Sequence, residues 1–144
     1  MIDNPYGNNV QYGRICLFNS NKAWGGGEKW YLSTALMLQK RKYNVHLLAE
    51  KKCELFMRAQ KSGIPVTGVK VSNLSFLNPV KIISLAYLLK QLRAEVIILN
   101  LSSDVKLAGI AARLAGVKKI IYRRGLPVPV NDSVSFPYSV GVIL

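Results

Sequence analysis

Along the chain, short apolar runs bounded by turn residues alternate with longer stretches whose apolar positions recur at helical spacing. The runs are Arg14 to Asn19, Asn44 to Glu50, Pro65 to Val71, Glu95 to Asn100 and Lys118 to Tyr122, each of a length suited to a strand buried on both faces. Pro65 and Gly68 weaken the third and place it toward a sheet edge. Between the runs, Lys29 to Arg41 predicts an amphipathic helix with Leu32, Ala35 and Leu36 on one side. Glu54 to Ser62 predicts a shorter helix that Gly63 closes. Asn78 and Pro79 mark a third helix, in which Ile82, Leu85, Ala86, Leu89 and Leu92 form a stripe. Ile83, Tyr87 and Leu88 widen its apolar surface beyond what one packed face requires, so a second partner or a membrane surface stands beside core packing as an expectation. Ser102 or Ser103 caps a fourth helix that runs through Leu107, Ile110, Ala111 and Leu114 to Gly116.

Strands alternating with helices, with no hairpin signal, predict an α/β fold: a Rossmann-like open parallel sheet in the order 3-2-1-4-5, with helices on both faces. The expected organisation is a flexible leader over 1–13, the α/β domain over 14–125 and an irregular tail or truncated linker over 126–144, where Pro127 and Pro129 oppose regular structure. In such a sheet the loops after the first, fourth and fifth strands meet at one crevice. Those loops carry Trp24-Gly25-Gly26-Gly27-Glu28, Asn100 to Asp104 and Arg123-Arg124-Gly125. A strand, a glycine-dense turn and a helix in succession place helix N–H groups where a phosphate binds, and the same order also occurs as a plain turn with no ligand.

Charge narrows the partners without choosing one. The net charge of +13, from 20 Lys and Arg against 7 Asp and Glu, favours an anionic partner, yet it is spread in twos and threes. No arginine-rich stripe or stacking aromatic motif points to nucleic acid, so no nucleic-acid partner is expected. No apolar run reaches membrane-spanning length, and Cys16 and Cys53 have no spacing suited to a metal. Two free structural thiols in a reducing cytoplasm is the expectation, with no metal cofactor. His46, the single histidine, falls in mid-strand and suits packing better than acid–base work. The phosphate-loop, nucleophile-elbow and dinucleotide fingerprints are absent. Glu50 ends the second strand where a ribose hydroxyl is held in dehydrogenases, which keeps an NAD(P)-binding domain as one alternative. A non-enzymatic basic module binding anions or membranes is another.

Taken together, Gly25-Gly26-Gly27-Glu28 after the first strand, Asn100-Leu101-Ser102-Ser103-Asp104 after the fourth and Tyr122-Arg123-Arg124-Gly125 after the fifth resemble the N-terminal domain of family-four glycosyltransferases of the GT-B fold. The resemblance covers Arg14 to Pro129. It implies two Rossmann-like halves facing across a cleft, the N-terminal one carrying acceptor contacts and the C-terminal one binding the nucleotide sugar. Gly25, Gly26, Gly27 and Glu28 would then be the donor-phosphate loop, and Asn100, Ser102, Asp104, Arg123 and Arg124 the acceptor side and cleft wall. The capping of a helix by Asn100 and Ser102, and a solvated Arg124, remain alternatives.

The implied partners are a nucleotide-diphosphate sugar as donor, a glycan or lipid-linked acceptor, a C-terminal glycosyltransferase half and the anionic inner face of a membrane. The chain departs from the family in having no histidine in the loop after the fourth strand, no second half and no Glu-x7-Glu pair. The resemblance therefore names no catalytic residue. It implies an acceptor-side half, truncated and inactive alone, of an enzyme of cell-surface polysaccharide or lipid-linked glycan synthesis, cytoplasmic and peripheral to the membrane.

Overall fold

A sheet in the order β3-β2-β1-β4-β5-β6 forms the middle layer of a computed structural model that describes residues 13–72 and 74–123 and the backbone of 140–143. Its strands are β1 (Arg14–Asn19), β2 (Val45–Glu50), β3 (Val66–Val69), β4 (Ala94–Leu99), β5 (Lys119–Arg123) and β6 (Val140–Ile143). The helices are α1 (Gly26–Lys40), α2 (Glu54–Lys61), α3 (Pro79–Gln91) and α4 (Ser102–Leu114). β1 to β5 are parallel and stand in the expected order 3-2-1-4-5. β6 is a correction: Val140–Ile143, expected within an irregular tail, pairs antiparallel with β5, Ile121 opposite Val142. The expected leader over 1–13, apart from Gly13, and the tail over 126–139 lie outside the described residues.

The central strands β1 and β2 are covered on both faces, which is why they are apolar runs without polar alternation. Leu17, Leu47 and Ala49 face α1 and α2, where Tyr31, Ala35, Leu55 and Ala59 are fully buried. Cys16, Phe18, Leu48, Ile97 and Leu99 face α3 and α4, meeting Leu89, Ala108, Ala111 and Ala112. Each fully buried Leu or Phe contributes about 2 kcal/mol of transfer free energy, so the central strands dominate cohesion. β3, with only four partly exposed residues, is the edge that Pro65 and Gly68 indicate.

Two helix starts differ from expectation. α1 begins at Gly26, three residues ahead of Lys29, so Gly26 and Gly27 form its first turn; Leu36 is 39% exposed, and Tyr31 with Ala35 makes the packed side. At α4 neither serine caps: Leu101 holds the capping position with no side-chain bond, and Ser102 is the first helical residue. The reason is that the Asp104 carboxylate accepts the Leu101 N–H, doing from inside the helix what a serine does from its end. On α3, by contrast, Asn78 caps as expected, its Oδ1 accepting the Val80 N–H at 3.1 Å with Pro79 behind it.

Candidate functional site

The carboxyl ends of β1, β4 and β5 form a single rim, and three contacts show that their turns meet. A Cβ added at Gly27 would stand 3.3 Å from the Asn100 Nδ2, so the amide after β4 rests against the first turn of α1. The loop after β1 reaches α4, because the Ser20 N–H donates to Asp104 Oδ2 at 3.1 Å and the Ser20 hydroxyl donates to Asp104 Oδ1. Arg123, the last residue of β5, lays its guanidinium 4.2 Å from the centre of the Trp30 ring on α1. β1 and β4 are neighbours whose crossovers leave in opposite directions, which makes the gap between their ends the crevice of this fold.

Each glycine has a different part. The Gly25 backbone is extended, and its N–H donates to Glu28 Oε2 at 2.9 Å. Nothing lies within 4 Å of a Cβ added at Gly26, whereas Gly27 is crowded by Asn100. Helix geometry leaves the N–H groups of Gly26 and Gly27 without intrahelical acceptors, and the open space over Gly26 lets an anionic oxygen come up to them.

Glu28 is turned inward. Its Oε1 accepts from Asn21 Nδ2 at 2.8 Å and from Asn19 Nδ2 at 3.1 Å, and the residue is 3% exposed. Burial pushes this carboxyl up, but the amides of Asn21 and Asn19 and the N–H groups of Glu28 and Gly25 outweigh it and hold it below its ordinary value. Glu28 therefore fixes the loop as an anion and offers no free carboxylate to a ligand. Asp104 is fully buried; burial raises it from 3.8 to about 6 against the opposing bonds from Ser20 and Leu101. Of the other rim residues, Ser102 is exposed, while Asn100 and Arg123 are half-buried. Arg124 and Gly125 lie outside the described residues.

Tyr31, Trp30 and the Asn19-Ser20-Asn21 loop belong to the rim and escaped the sequence reading. The Tyr31 hydroxyl donates to the Ile98 carbonyl at 3.2 Å. Burial first, then the charge of Asp104, push it well above its ordinary value, with Arg123 lowering it and Glu28 raising it again. Tyr31 is thus a neutral hydroxyl at the centre of the three turns. The signal for the loop was present as three polar residues directly after a buried strand. Among the described residues, two side-chain polar atoms are buried without hydrogen-bond partners: Arg123 Nη1 and Glu50 Oε2. The first is a donor at the rim with nothing to donate to. The second lies at the carboxyl end of β2, one residue past the pairing of Ala49 with Asn19.

The rest of the chemistry is quiet. His46 sits within β2 with its Nε2 2.7 Å from Thr67 Oγ1, and burial, then Arg14, lower its pKa, so it is neutral at pH 7. Burial pushes the Cys16 thiol up to about 12, and both cysteines are free and buried. Among the described residues no three His, Cys, Asp or Glu side chains gather to hold a metal ion, and no helix is long and apolar enough to cross a membrane.

Comparison with known proteins agrees with this fold. Among solved structures, Acinetobacter baumannii MurG superposes with a TM-score of 0.65 at 17% identity, over 83% of this chain and 37% of MurG. HepE of Anabaena, solved in complex with UDP and glucose, superposes with a TM-score of 0.59 at 16% identity, over 77% of this chain and 29% of HepE. The chain thus spans little more than a third of the first and less of the second, and at these identities the likeness is one of fold. No curated protein matches it. The family described as glycosyl transferase 4-like matches residues 14–133, most of the sequence, and the chain belongs to that family.

Proposed function

We propose that this chain is the acceptor-side half of a nucleotide-sugar-dependent glycosyltransferase working on a cell-surface polysaccharide or a lipid-linked glycan. The observation that carries the reading is the meeting of three distant turns on one rim, which brings the first turn of α1 and Arg123, with its Nη1 unpaired and its guanidinium on Trp30, to the same end of the sheet. Those N–H groups would stabilise charge growing on the departing diphosphate, and the guanidinium would hold a phosphate oxygen while stacked on Trp30. Asn100 and Ser102 would orient the acceptor. Asp104 and Glu28, both buried, would act through the loop they anchor. The donor is a nucleotide-diphosphate sugar, and no metal cofactor is invoked.

The rim is an open wall. Transfer needs a second wall to hold the nucleoside and exclude water, beyond the diphosphate contacts of this one, so the chain by itself is expected to be inactive. Incubating it with a panel of nucleotide sugars and acceptors should give no transfer product, and robust turnover by this chain alone would contradict the reading. The unpartnered Glu50 Oε2 favours one second reading, an NAD(P) site at the end of β2. Calorimetric titration decides it: saturable NAD(P) binding that weakens in Glu50→Ala is required there and is not expected here.

A further inference from the structure

The chain has two tryptophans, Trp24 and Trp30, and they bracket the glycine turn Gly25 to Glu28. Each carries a guanidinium on its ring. The Cζ of Arg58, from α2, stands 4.5 Å from the centre of the Trp24 ring, and that of Arg123, from β5, stands 4.2 Å from the centre of Trp30. The two arginines differ in what their donors do. Arg58 is exposed, and its Nε donates to Glu54 Oε1 at 2.7 Å, one turn back on the same helix. Arg123 makes no ion pair among the described residues, and its Nη1 is buried with no acceptor.

A guanidinium sheltered from water ordinarily pairs with the nearest carboxylate. Two are at hand, because Asp104, Arg123 and Glu28 all act electrostatically on the same Tyr31 hydroxyl. Both are already engaged by other donors. Glu28 accepts from the Asn19 and Asn21 amides and the Gly25 N–H, and Asp104 from the Ser20 N–H and hydroxyl and the Leu101 N–H. Trp30 supplies an attraction of a different kind. A ring face binds the flat side of a guanidinium and leaves the N–H groups at its edge unused, so stacking fixes the cation without occupying its donors. The ring is held in turn: it meets Tyr31 edge-on, with centres 5.4 Å apart, and the Tyr31 hydroxyl donates to the Ile98 carbonyl at 3.2 Å. Ile98 lies opposite Ile121, two residues before Arg123, so ring and guanidinium are both referred to the β4–β5 pair.

We propose that Trp30 is a positioning residue: by stacking, it holds the Arg123 guanidinium at the rim and keeps Nη1 free to donate to a phosphate oxygen. Nη1 has no water to give up, so an oxygen that reaches it gains a charge-assisted bond without first stripping that atom. Trp24 has no such part, because its guanidinium already donates to Glu54. The diphosphate as ligand rests on the glycosyltransferase reading, whereas the stack and the unpaired donor do not.

Calorimetric titration of inorganic pyrophosphate and, separately, of UDP into the 144-residue chain tests this. Trp30→Leu, which keeps an apolar side chain and removes the ring face, should weaken both ligands about fivefold, and Trp30→Phe should recover most of that loss. Arg58→Gln, which breaks the other stack, should bind like the parent. In an Arg123→Ala background Trp30→Leu should cost nothing further, since no guanidinium is left to place, whereas a ring that only fills space would cost the same in both backgrounds. Circular dichroism checks that each variant folds, and Trp30→Met takes the place of Trp30→Leu should the leucine variant not fold. Parent-like pyrophosphate binding by Trp30→Leu, or an equal loss in both backgrounds, would overturn the proposal and leave the sugar-transfer reading standing. Trp30-dependent binding of pyrophosphate with no binding of UDP would support the proposal and contradict that reading. A parent chain that binds neither ligand would overturn both.

Discussion

Glu28 in α1 and Asp104 in α4 stand at the third position of their helices, and each accepts the N–H of the residue that opens its helix, Gly25 or Leu101. Each also holds the loop after β1, Glu28 through Asn19 and Asn21, Asp104 through Ser20. Their titrations nevertheless move in opposite directions. The amide and N–H donors around Glu28 outweigh its burial and lower it, whereas burial prevails over the Ser20 and Leu101 bonds at Asp104 and raises it to about 6. The same capping position thus yields a fixed anion on one side of the crevice and a proton-binding group on the other. What separates them is the balance of donors against lost water.

The largest way to break the pair is Asp104→Ala. It strips the acceptor from the buried Ser20 N–H and hydroxyl and from the Leu101 N–H and should cost about 3 kcal/mol in urea unfolding, since buried donors left unpaired lose their full solvation. Next comes pH. Between about pH 4 and 6 the folded chain binds a proton at Asp104 that the unfolded chain does not, so this residue's contribution falls as pH rises through that window. Acidifying from pH 7 to 5 should raise unfolding stability by about 1.3 kcal/mol in the parent and leave Asp104→Asn flat. Glu28 has the opposite sign: its contribution is present above its ordinary value of 4.5 and is lost as pH falls below it. A stability maximum near pH 5 is the joint expectation.

Glu28→Ala should cost about 1.5 kcal/mol at pH 7, less than Asp104→Ala because the half-buried Asn21 can turn to water. The smallest effect is at Gly26, where a Cβ meets nothing and a helix gains from alanine. Gly26→Ala should stabilise by about 0.5 kcal/mol while weakening nucleotide binding, a separation that calorimetry and thermal melts can read together.

The fold was legible because each strand of the parallel part is a run set off by turn residues, and Pro65, Gly68, Gly63 and Gly116 act locally where they stand; Gly63 and Gly116 take positive φ. The pairing of Val140–Ile143 was not legible, since a four-residue strand beyond three prolines, Pro127, Pro129 and Pro137, carries no period of its own. At the site, the glycines and Arg123 could be found by spacing. Tyr31 and Ser20 could not, because their partners lie 67 and 84 residues away, at Ile98 and Asp104. A sequence shows which residues favour a helix end and not which distant donor will reach it. Asp104 displaced the expected serine cap for that reason.

The central claim is that the first turn of α1 and the end of β5 form one wall for a diphosphate. Titrating UDP into isotopically labelled chain while following amide and indole resonances tests it most directly. The account predicts that the Gly26 and Gly27 amides and the Trp30 indole shift together with one saturation curve, and that Arg123→Ala weakens binding about tenfold, as loss of one charge-assisted bond should. Shifts confined to other parts of the chain, or an Arg123→Ala curve that overlays the parent, would contradict it.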